Sequence, residues 1–389
     1  MNNGPALLEK NRSSSKTMQI PVPQHIAAIV PYPPGKPMDE LEREYGITNA
    51  IKLASNENPW GPSPKAVKAI GEMLHNLHRY PDGSSYSLTE ALAGWIGAAP
   101  AEIVLGNGSN EVIEFLVKAF VATGDQVITS HPSFLMYQKF VQVRGGENVV
   151  IPLKEMAHDL EAIRDAVTDR TRLIFIDNPN NPTGTLIARE AFDRFLSGLP
   201  QAVIVVVDEA YVDFVEPAAR IDILGYIRHP ENIPAVVSLR TFSKAFGLAG
   251  LRVGFGVMHQ AVASLLHRVR QPFNINLPAQ AGALAALDDS AHYEHTLRAT
   301  AEGRAWLHRK VAELGCTPYP SHTNFFLIDV CGDATRLYEA MLYKGVIVRS
   351  MKAYGYPDFI RITVGTAAEN QRFVLALAEC LQELGYVRP

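Results

Sequence analysis

Short apolar runs recur along the first two-thirds of this 389-residue chain, and they constrain its fold more than any other feature. They lie at residues 103–105, 126–129, 148–151, 173–176, 202–207 and 235–239. Within each run the apolar residues follow one another without alternation, and polar or glycine residues come directly afterwards. Strands buried on both faces have this pattern, because helices cover both sides of a parallel sheet. The runs therefore predict an α/β fold on parallel strands.

Composition and net charge limit the classes of molecule that this protein is expected to bind. The formal net charge is −4 and no long basic run is present, which argues against nucleic acid or an anionic membrane and favours small-molecule ligands. No apolar run approaches the ~20 residues that span a bilayer, and the polar N-terminus lacks the apolar segment of a signal peptide. Cys316, Cys331 and Cys380 form no C-x-x-C pattern. We expect a cytoplasmic protein with reduced thiols and no bound metal.

The sequence divides into four regions. Residues 1–20 are polar and are predicted to be a disordered tail, and the proline-rich residues 21–64 are predicted to form an extended arm. Residues 65–285 carry the apolar runs and form the predicted large domain. After about residue 285 the pattern changes to long amphipathic segments, so residues 286–389 are predicted to be a smaller α+β domain. Its expected strands are 324–328, 346–348 and 360–364.

One lysine has a sequence context that suggests chemistry. Lys244 stands between two phenylalanines in the segment 241–252, and partial desolvation there favours its neutral amine, a candidate nucleophile for a Schiff base. Thr241, Ser243 and Arg252 could hold a phosphate nearby. A lysine beside a phosphate site suggests pyridoxal phosphate. A lone lysine is more often simply solvated, so this interpretation depends on the rest of the chain.

Polar residues follow the predicted strands where an open α/β sheet binds its ligands. Gly108 and Ser109 follow the run 103–105 and precede a segment with helical spacing, so they could place a phosphate at a helix N-terminus. Glu111 occupies the third glycine position of a dinucleotide fingerprint, which excludes that reading. Asp208 ends the run 202–207, and a buried aspartate there needs a cationic partner.

The motifs occur in an order that resembles a known family. They are Asn56-Glu-Asn-Pro59, Arg79-Tyr-Pro81, Gly106-Asn-Gly-Ser109, Asn181-Pro-Thr-Gly184, Asp208-Glu-Ala-Tyr211, Ser243-Lys244 and Arg361. Together they resemble the fold-type-I aminotransferases that depend on pyridoxal phosphate, and most closely the histidinol-phosphate aminotransferase family. The resemblance implies the PLP-dependent transferase fold type I, with a mostly parallel seven-stranded sheet in the large domain and a smaller α+β C-terminal domain.

The resemblance also implies roles around the cofactor. Lys244 would carry the cofactor and then act as the general base. Asp208 would keep the pyridine nitrogen protonated, while Tyr211 and Asn181 would bond the phenolic oxygen. Phe134 would stack on the pyridine face, although simple core packing explains it equally well.

Further residues are assigned to the substrate and to the partner subunit. Arg361 would grip a carboxylate, since an arginine inside an apolar strand needs an anion. Arg349 and Tyr32 are assigned to a distal phosphate, with a rim salt bridge as the alternative for Arg349. Asn58 is a further candidate near the substrate mouth. Tyr80 would reach the cofactor phosphate of a neighbouring subunit, which predicts a homodimer.

The expected reaction converts histidinol phosphate and 2-oxoglutarate to imidazole-acetol phosphate and glutamate, a step of histidine biosynthesis. The nearest alternative is an aromatic amino-acid aminotransferase, because sites of this family admit imidazole, phenol and phenyl rings. A pyridoxal-phosphate-dependent decarboxylase of a phosphorylated amino acid is a second alternative. A ligand-sensing regulator is a third, but the polar tail is too short to contain a helix-turn-helix.

Overall fold

A computed structural model describes residues 20–31, 43–44, 46–231 and 233–386. The strands are β1 Ile51–Lys52, β2 Ile103–Gly106, β3 Gln126–His131, β4 Glu147–Pro152, β5 Thr171–Asp177, β6 Ile204–Asp208, β7 Ala235–Thr241, β8 Gly254–Met258, β9 Thr317–Pro318, β10 Phe325–Asp329, β11 Val346–Ile347, β12 Arg349–Ser350 and β13 Phe359–Thr363. The α-helices are α1 Gln24–Ala27, α2 Pro64–Met73, α3 Tyr86–Ile96, α4 Ser109–Phe120, α5 Met136–Arg144, α6 Leu160–Asp165, α7 Arg189–Ser197, α8 Ile223–Arg228, α9 Gln260–Val269, α10 Leu277–Leu287, α11 Ser290–Glu313, α12 Ala334–Tyr343 and α13 Ala367–Leu384. Single 3₁₀ turns cover Leu74–Asn76, Pro100–Glu102, Val212–Phe214, Pro217–Ala219, Ala249–Leu251 and Lys352–Tyr354.

The large sheet has seven strands in the order β2-β8-β7-β6-β5-β3-β4. Each of the six apolar runs overlaps one of its strands, so the mostly parallel seven-stranded sheet is confirmed. Two details differ from the sequence prediction. The run 103–105 pairs only with the antiparallel β8, and the run 148–151 lies in the edge strand β4, whose side chains are partly exposed. β2 is the other edge strand and all of its residues are buried, so an edge position alone does not expose β4.

The antiparallel strand β8 was not predicted from an apolar run, because it contains two glycines, Gly254 and Gly256. A Cβ on Gly254 would lie 2.3 Å from the backbone nitrogen of Ser109, the first residue of α4. Only glycine allows the helix N-terminus to approach the sheet this closely. The missing side chain therefore brings a set of free amide donors to the end of the sheet.

Two apolar cores lie on opposite faces of the large sheet. Along β5, Ile174 and Ile176 face one core, whereas Leu173 and Phe175 face the other. This follows from the period of two along a strand. Burying side chains of this size stabilises the fold by about 1.5–3 kcal/mol each, so the double burial that the sequence predicted makes the sheet the rigid centre of the protein.

The smaller unit is built on an antiparallel sheet with the order β12-β13-β10-β9. Helices α11, α12 and α13 cover it, and α13 begins with a capping box between Thr366 and Glu369. The expected strand at 346–348 instead pairs in parallel with Ile51–Lys52, which fastens the N-terminal segment to this unit.

The predicted domain boundary at residue 285 falls inside α10, which packs against α2 and α3 of the large unit. The turn at 288–289 separates α10 from α11. The division at residues 20, 64 and 285 stays a prediction. Residues 1–19 lie outside the described part of the chain.

The strand register brings polar residues together at one edge of the large sheet. Asp177 at the end of β5 is the direct partner of Asp208 at the end of β6, and β7 ends beside them at Thr241. Since parallel strands end at a common edge, their last residues form one wall of a crevice.

Candidate active site

A cavity of about 240 Å³ opens at this edge of the sheet. It is lined by Ser55, Glu57, Ser109, Asn110, Phe134, Tyr137, Asp177, Asn181, Asp208, Ala210, Tyr211, Thr241, Ser243, Lys244, Ala249 and Arg252. Most of the residues predicted to bind a cofactor are among them. A larger cleft of about 440 Å³ is lined by residues between Lys154 and Phe195. Its lysine and arginine side chains are exposed, and none of the carboxylates that line it is buried. The smaller cavity therefore has the chemistry of a site.

Lys244 lies on the loop after β7 with its amine inside the cavity. Its Nζ donates to the backbone oxygens of Asn56 at 3.1 Å and Ser55 at 3.4 Å, and it lies 5.4 Å from the ring centre of Tyr211. Burial lowers the pKa of Lys244 to about 8, and the nearby charge of Arg361 acts in the same direction. A substantial fraction of this amine is therefore neutral, and so nucleophilic, near pH 8.

One end of the cavity is a cradle for a phosphate. Ser109 begins the twelve-residue helix α4, while Thr241 at the end of β7 and Ser243 in the loop after it present hydroxyls. Arg252 Nη1 lies 3.4 Å from Ser243 Oγ. Gly108 has φ +78°, and a Cβ there would lie 2.5 Å from Arg252 Nη2. Hydroxyls, a guanidinium and a helix N-terminus together suit a dianionic phosphate.

Two buried carboxylates stand side by side in the cavity wall, and their hydrogen bonds distinguish them. Asp177 is already saturated, because four groups approach its carboxylate. They are Ser133 Oγ at 2.8 Å, the backbone nitrogen of Asn181 at 2.7 Å, Asn180 Nδ2 at 3.1 Å and His158 Nε2 at 3.1 Å. Asp208 has fewer donors, so it is the carboxylate with capacity for a ligand.

Asp208 is 5% exposed and accepts hydrogen bonds from two neutral donors. Tyr137 Oη donates to its Oδ2 at 2.8 Å, and the backbone nitrogen of Ala210 donates to its Oδ1 at 3.1 Å. No described residue forms an ion pair with it. Burial raises the pKa of Asp208 to about 7, because no cation offsets the lost hydration. A protonated ring nitrogen is the kind of group that this carboxylate fits.

Tyr211 and Asn181 also line the cavity. Asn56 Nδ2 donates to Tyr211 Oη at 2.9 Å, and the ring packs edge-on against Phe325 at 5.0 Å. Burial raises the pKa of Tyr211 to about 12, so its hydroxyl keeps its proton at neutral pH. Phe134 lies at the cavity wall, edge-on to Tyr137 with ring centres 5.4 Å apart.

Arg361 reaches the site from β13 of the smaller sheet and is 7% exposed. Its Nη1 donates to Asn181 Oδ1 and its Nη2 donates to the backbone oxygen of Ala54 at 2.9 Å. The guanidinium also lies over the ring of Phe325, 5.0 Å from its centre. These contacts fix the cation beside the cavity, where it can meet an anionic substrate group.

Arg349 is the direct cross-strand partner of Arg361. Paired residues of an antiparallel ladder lie about 5 Å apart and point to the same face, so both arginines face the side of the site. Arg349 does not line the cavity itself.

Asn58 does not line the cavity, and its assignment near the substrate stays a prediction. Its Nδ2 donates to the backbone oxygen of Ala245 at 3.1 Å and to Thr296 Oγ1 at 3.4 Å, and its Oδ1 accepts from the backbone of Trp60. Its amide thus holds the loop in place and is not among the cavity-lining groups. Asn56, two residues earlier, is the asparagine that contacts a cavity residue.

Of two further predicted residues, the structure describes only Tyr80, which does not line the cavity. Tyr32 is outside the described residues. Tyr80 is 83% exposed and stacks on Phe273 with ring centres 5.0 Å apart. Its assigned role concerns a second subunit and stays a prediction.

The sequence analysis missed Tyr137, Asp177 and Asn56 as site residues. Asp177 had a signal, since a carboxylate directly after a buried strand resembles Asp208 in placement. The sequence gives no such signal for Tyr137 and Asn56, because their hydrogen-bond partners are distant in the chain. Tyr137 is 71 residues from Asp208, and Asn56 is 155 residues from Tyr211.

Within the described ranges, no helix is both long and apolar enough to cross a bilayer. The same residues contain no cluster of three or more His, Cys, Asp or Glu side chains suited to a metal ion.

A partly buried lysine, a buried carboxylate and a phosphate cradle lie together at the edge of a mostly parallel sheet, which is the arrangement of a pyridoxal-phosphate-dependent enzyme of fold type I. Residues 48–377 match the family model of aminotransferases of class I and II. Histidinol-phosphate aminotransferase of Desulfotalea psychrophila is 62% identical over 95% of this chain and 98% of its own length. The protein of that name from Moorella thermoacetica is 44% identical over 92% of each chain.

The fold comparison agrees with the sequence comparison. The crystal structure of histidinol-phosphate aminotransferase from Sinorhizobium meliloti in complex with pyridoxal-5'-phosphate has a TM-score of 0.86. It is 29% identical and covers 95% of this chain and 100% of its own. The chain belongs to the histidinol-phosphate aminotransferase family, and its cofactor is pyridoxal phosphate.

Proposed function

We propose that this enzyme transfers an amino group between histidinol phosphate and 2-oxoglutarate, giving imidazole-acetol phosphate and glutamate, in histidine biosynthesis. The observation that carries the proposal is the pair of arginines, Arg361 and Arg349, on one face beside the lysine cavity. One cation suits the carboxylate of glutamate, and two suit the more highly charged phosphate of histidinol phosphate. The names of the relatives support the same reaction.

The cavity residues hold the cofactor by its three polar ends. Ser109, Thr241, Ser243 and Arg252 bind the phosphate, and Gly108 makes room for the arginine. When bound, pyridoxal phosphate supplies an electron sink for negative charge at the substrate carbon that carries the amino group.

The remaining contacts set the electronic state of the ring. Asp208 pairs with the ring nitrogen and keeps it protonated, which offsets the cost of burying this carboxylate. Tyr211 and Asn181 donate to the phenolic oxygen, and Phe134 packs on the ring face. Arg361 orients the Asn181 amide, because its Nη1 donates a hydrogen bond to the amide oxygen. The amide nitrogen of Asn181 is then the atom that can donate to the phenolic oxygen.

Lys244 binds the cofactor and then moves a proton. When substrate displaces it, its freed amine would be the general base that takes the proton from the amino-bearing carbon of the substrate. A pKa of about 8 suits this work, since the amine can both accept and release a proton near neutral pH. The backbone oxygens of Asn56 and Ser55 accept hydrogen bonds from this amine and so hold it in the cavity when it is free.

Substrate anions bind at the smaller sheet. Arg361 takes the carboxylate of glutamate or 2-oxoglutarate, and the phosphate of histidinol phosphate when that substrate binds. Arg349 and Tyr32 add to the grip on the phosphate, which reaches farther from the amino-bearing carbon than a carboxylate does.

We further propose a homodimer in the cytoplasm. Tyr80 and Phe273 stack on each other at the surface, and Leu74, Leu77 and Tyr86, which are close to Tyr80 in the sequence, are also exposed. Apolar surface of this kind marks an interface, and Tyr80 would reach the partner's phosphate cradle from it. The unbonded cysteines suit a reducing compartment.

Half-reaction spectroscopy tests the substrate. The purified pyridoxal form is mixed with histidinol phosphate, glutamate or phenylalanine, and conversion to the pyridoxamine form is followed by absorbance. Fast conversion with histidinol phosphate and slow conversion with phenylalanine is expected. Fast conversion with phenylalanine and none with histidinol phosphate would assign the enzyme to aromatic transamination.

The variant Arg349→Gln tests the phosphate site separately. We expect the KM for histidinol phosphate to rise about 10-fold or more, as one charge-assisted contact is lost, with little change for phenylalanine. Equal effects on both substrates would refute the role of Arg349.

A further inference from the structure

Asn56 connects both sheets of the protein at the edge of the cavity. From the smaller unit, Thr363 Oγ1 accepts its backbone N–H at 2.9 Å and Asn324 Nδ2 donates to its backbone oxygen at 3.1 Å. Its side-chain nitrogen Nδ2 donates to Tyr211 Oη at 2.9 Å. The residue is 2% exposed, so these bonds face no competition from water.

The direction of the bond to Tyr211 is fixed by the rest of the network. Thr363 Oγ1 lies 3.3 Å from Asn56 Oδ1 and donates to it, which settles which end of the amide faces Tyr211. An amide N–H can only donate, so Tyr211 Oη accepts at this contact. The proton of the Tyr211 hydroxyl is therefore left for another acceptor.

The backbone of Asn56 restricts which residues can replace it. Its φ is +55°, in the left-handed region that few side chains other than asparagine, aspartate and glycine adopt easily. In this conformation the side-chain amide contacts both Thr363 and Tyr211. Replacing Asn56 with glycine or aspartate should therefore keep this backbone conformation while removing the side-chain N–H that donates to Tyr211.

We infer that Asn56 is a positioning residue that fixes Tyr211 as a hydrogen-bond donor toward the phenolic oxygen of the cofactor. This inference rests on the proposed function, in which Tyr211 contacts that oxygen. The charged groups that face Tyr211 are Lys244, Arg361, Asp208 and Asp177, and variants at Asn56 leave all four in place.

The test is a pH titration of the visible absorption of the holoenzyme without substrate. A hydroxyl that donates to the phenolic oxygen lowers the proton affinity at that oxygen, so its loss raises the midpoint of the titration. Tyr211→Phe should raise the midpoint by about 0.5–1 pH unit, the equivalent of one hydrogen bond. Asn56→Gly should shift it in the same direction, and Asn56→Gly in the Tyr211→Phe background should add nothing.

Asn56→Asp is the second variant and keeps the test usable if the glycine variant does not fold. Its carboxylate accepts a hydrogen bond from the Tyr211 hydroxyl. It also adds a negative charge, which raises the midpoint of the titration whether or not the hydroxyl is present. Its upward shift should therefore be larger in the native background than in the Tyr211→Phe background.

The outcomes separate the two hypotheses. No shift with Tyr211→Phe would refute the proposed contact of Tyr211 itself. A shift with Tyr211→Phe but none with the Asn56 variants, or Asn56 shifts of equal size in both backgrounds, would overturn the inference and leave the proposed function standing.

Discussion

Removing the hydroxyl of Tyr137 should weaken cofactor binding in a way that depends on pH. Tyr137 is fully buried, and its ring stacks on Phe175 with centres 4.7 Å apart, so Tyr137→Phe keeps the packing. The variant loses only the donor to Asp208 Oδ2 at 2.8 Å. A bond of this kind to a charged group contributes about 1.5–3 kcal/mol, which is about 1–2 units in the pKa of the carboxyl.

The size of the effect follows from the ionised fraction of Asp208. Burial already raises its pKa to about 7, so about half of the free protein carries the carboxylate at pH 7. A further rise to about 8–9 leaves about a tenth to a hundredth ionised, and affinity for pyridoxal phosphate should fall about 5- to 50-fold. At pH 9.5 the carboxyl is ionised in both proteins, and the difference should shrink to less than about twofold.

Fluorescence titration of the apoenzyme with pyridoxal phosphate from pH 6 to 9.5 measures this effect. Tyr226→Phe is the matched control, because its hydroxyl also donates to an aspartate, Asp193, outside the cavity. Its affinity for the cofactor should equal that of the native protein. A loss of affinity in Tyr137→Phe that is the same at every pH would refute the argument from ionisation of Asp208.

Three further predictions concern the lysine and the arginine. Lys244→Ala should bind the cofactor without the visible absorption that depends on Lys244, and steady-state transamination by this variant would contradict the assignment. In the native apoenzyme, covalent incorporation of cofactor, trapped with borohydride and measured by mass spectrometry, should accelerate as pH rises through about 8, because the amine of Lys244 loses its proton there. A rate that is flat from pH 7 to 9 would argue against a lowered pKa. Arg361→Lys should reduce kcat/KM about 10- to 100-fold for both glutamate and histidinol phosphate, because a lysine cannot hold Asn181, Ala54 and an anion together. An effect on one substrate alone would show that the two anions bind separately.

Much of the site could be predicted because it depends on local sequence. Apolar runs specify buried strands, and the residues after them reach the same edge of the sheet, so Asp208 and Thr241 are close wherever such a sheet forms. Lys244 and Arg252 follow within one loop of β7. The position of these groups is thus a consequence of strand ends.

The contacts between the two sheets could not be predicted in this way. Arg361 and Asn181 are 180 residues apart in sequence, and only the packing of the smaller sheet on the cavity brings them together. The choice between Asn56 and Asn58 shows the same limit. Both belong to one motif, but φ of +55° at Asn56 turns its side chain to Tyr211, while Asn58 bonds to the backbone of Ala245.

The sequence by itself determined the strands, the order of the motifs and the chemical groups available at the edge of the sheet, because these depend on near neighbours in the chain. Tertiary structure decided which of two adjacent carboxylates, Asp177 or Asp208, remained open to a ligand. Asp177 is saturated by donors from three separate segments, whereas Asp208 received Tyr137 and one backbone amide. Hydrogen bonds act over about 3 Å of space regardless of separation along the chain, so only the folded path of the backbone could make that choice.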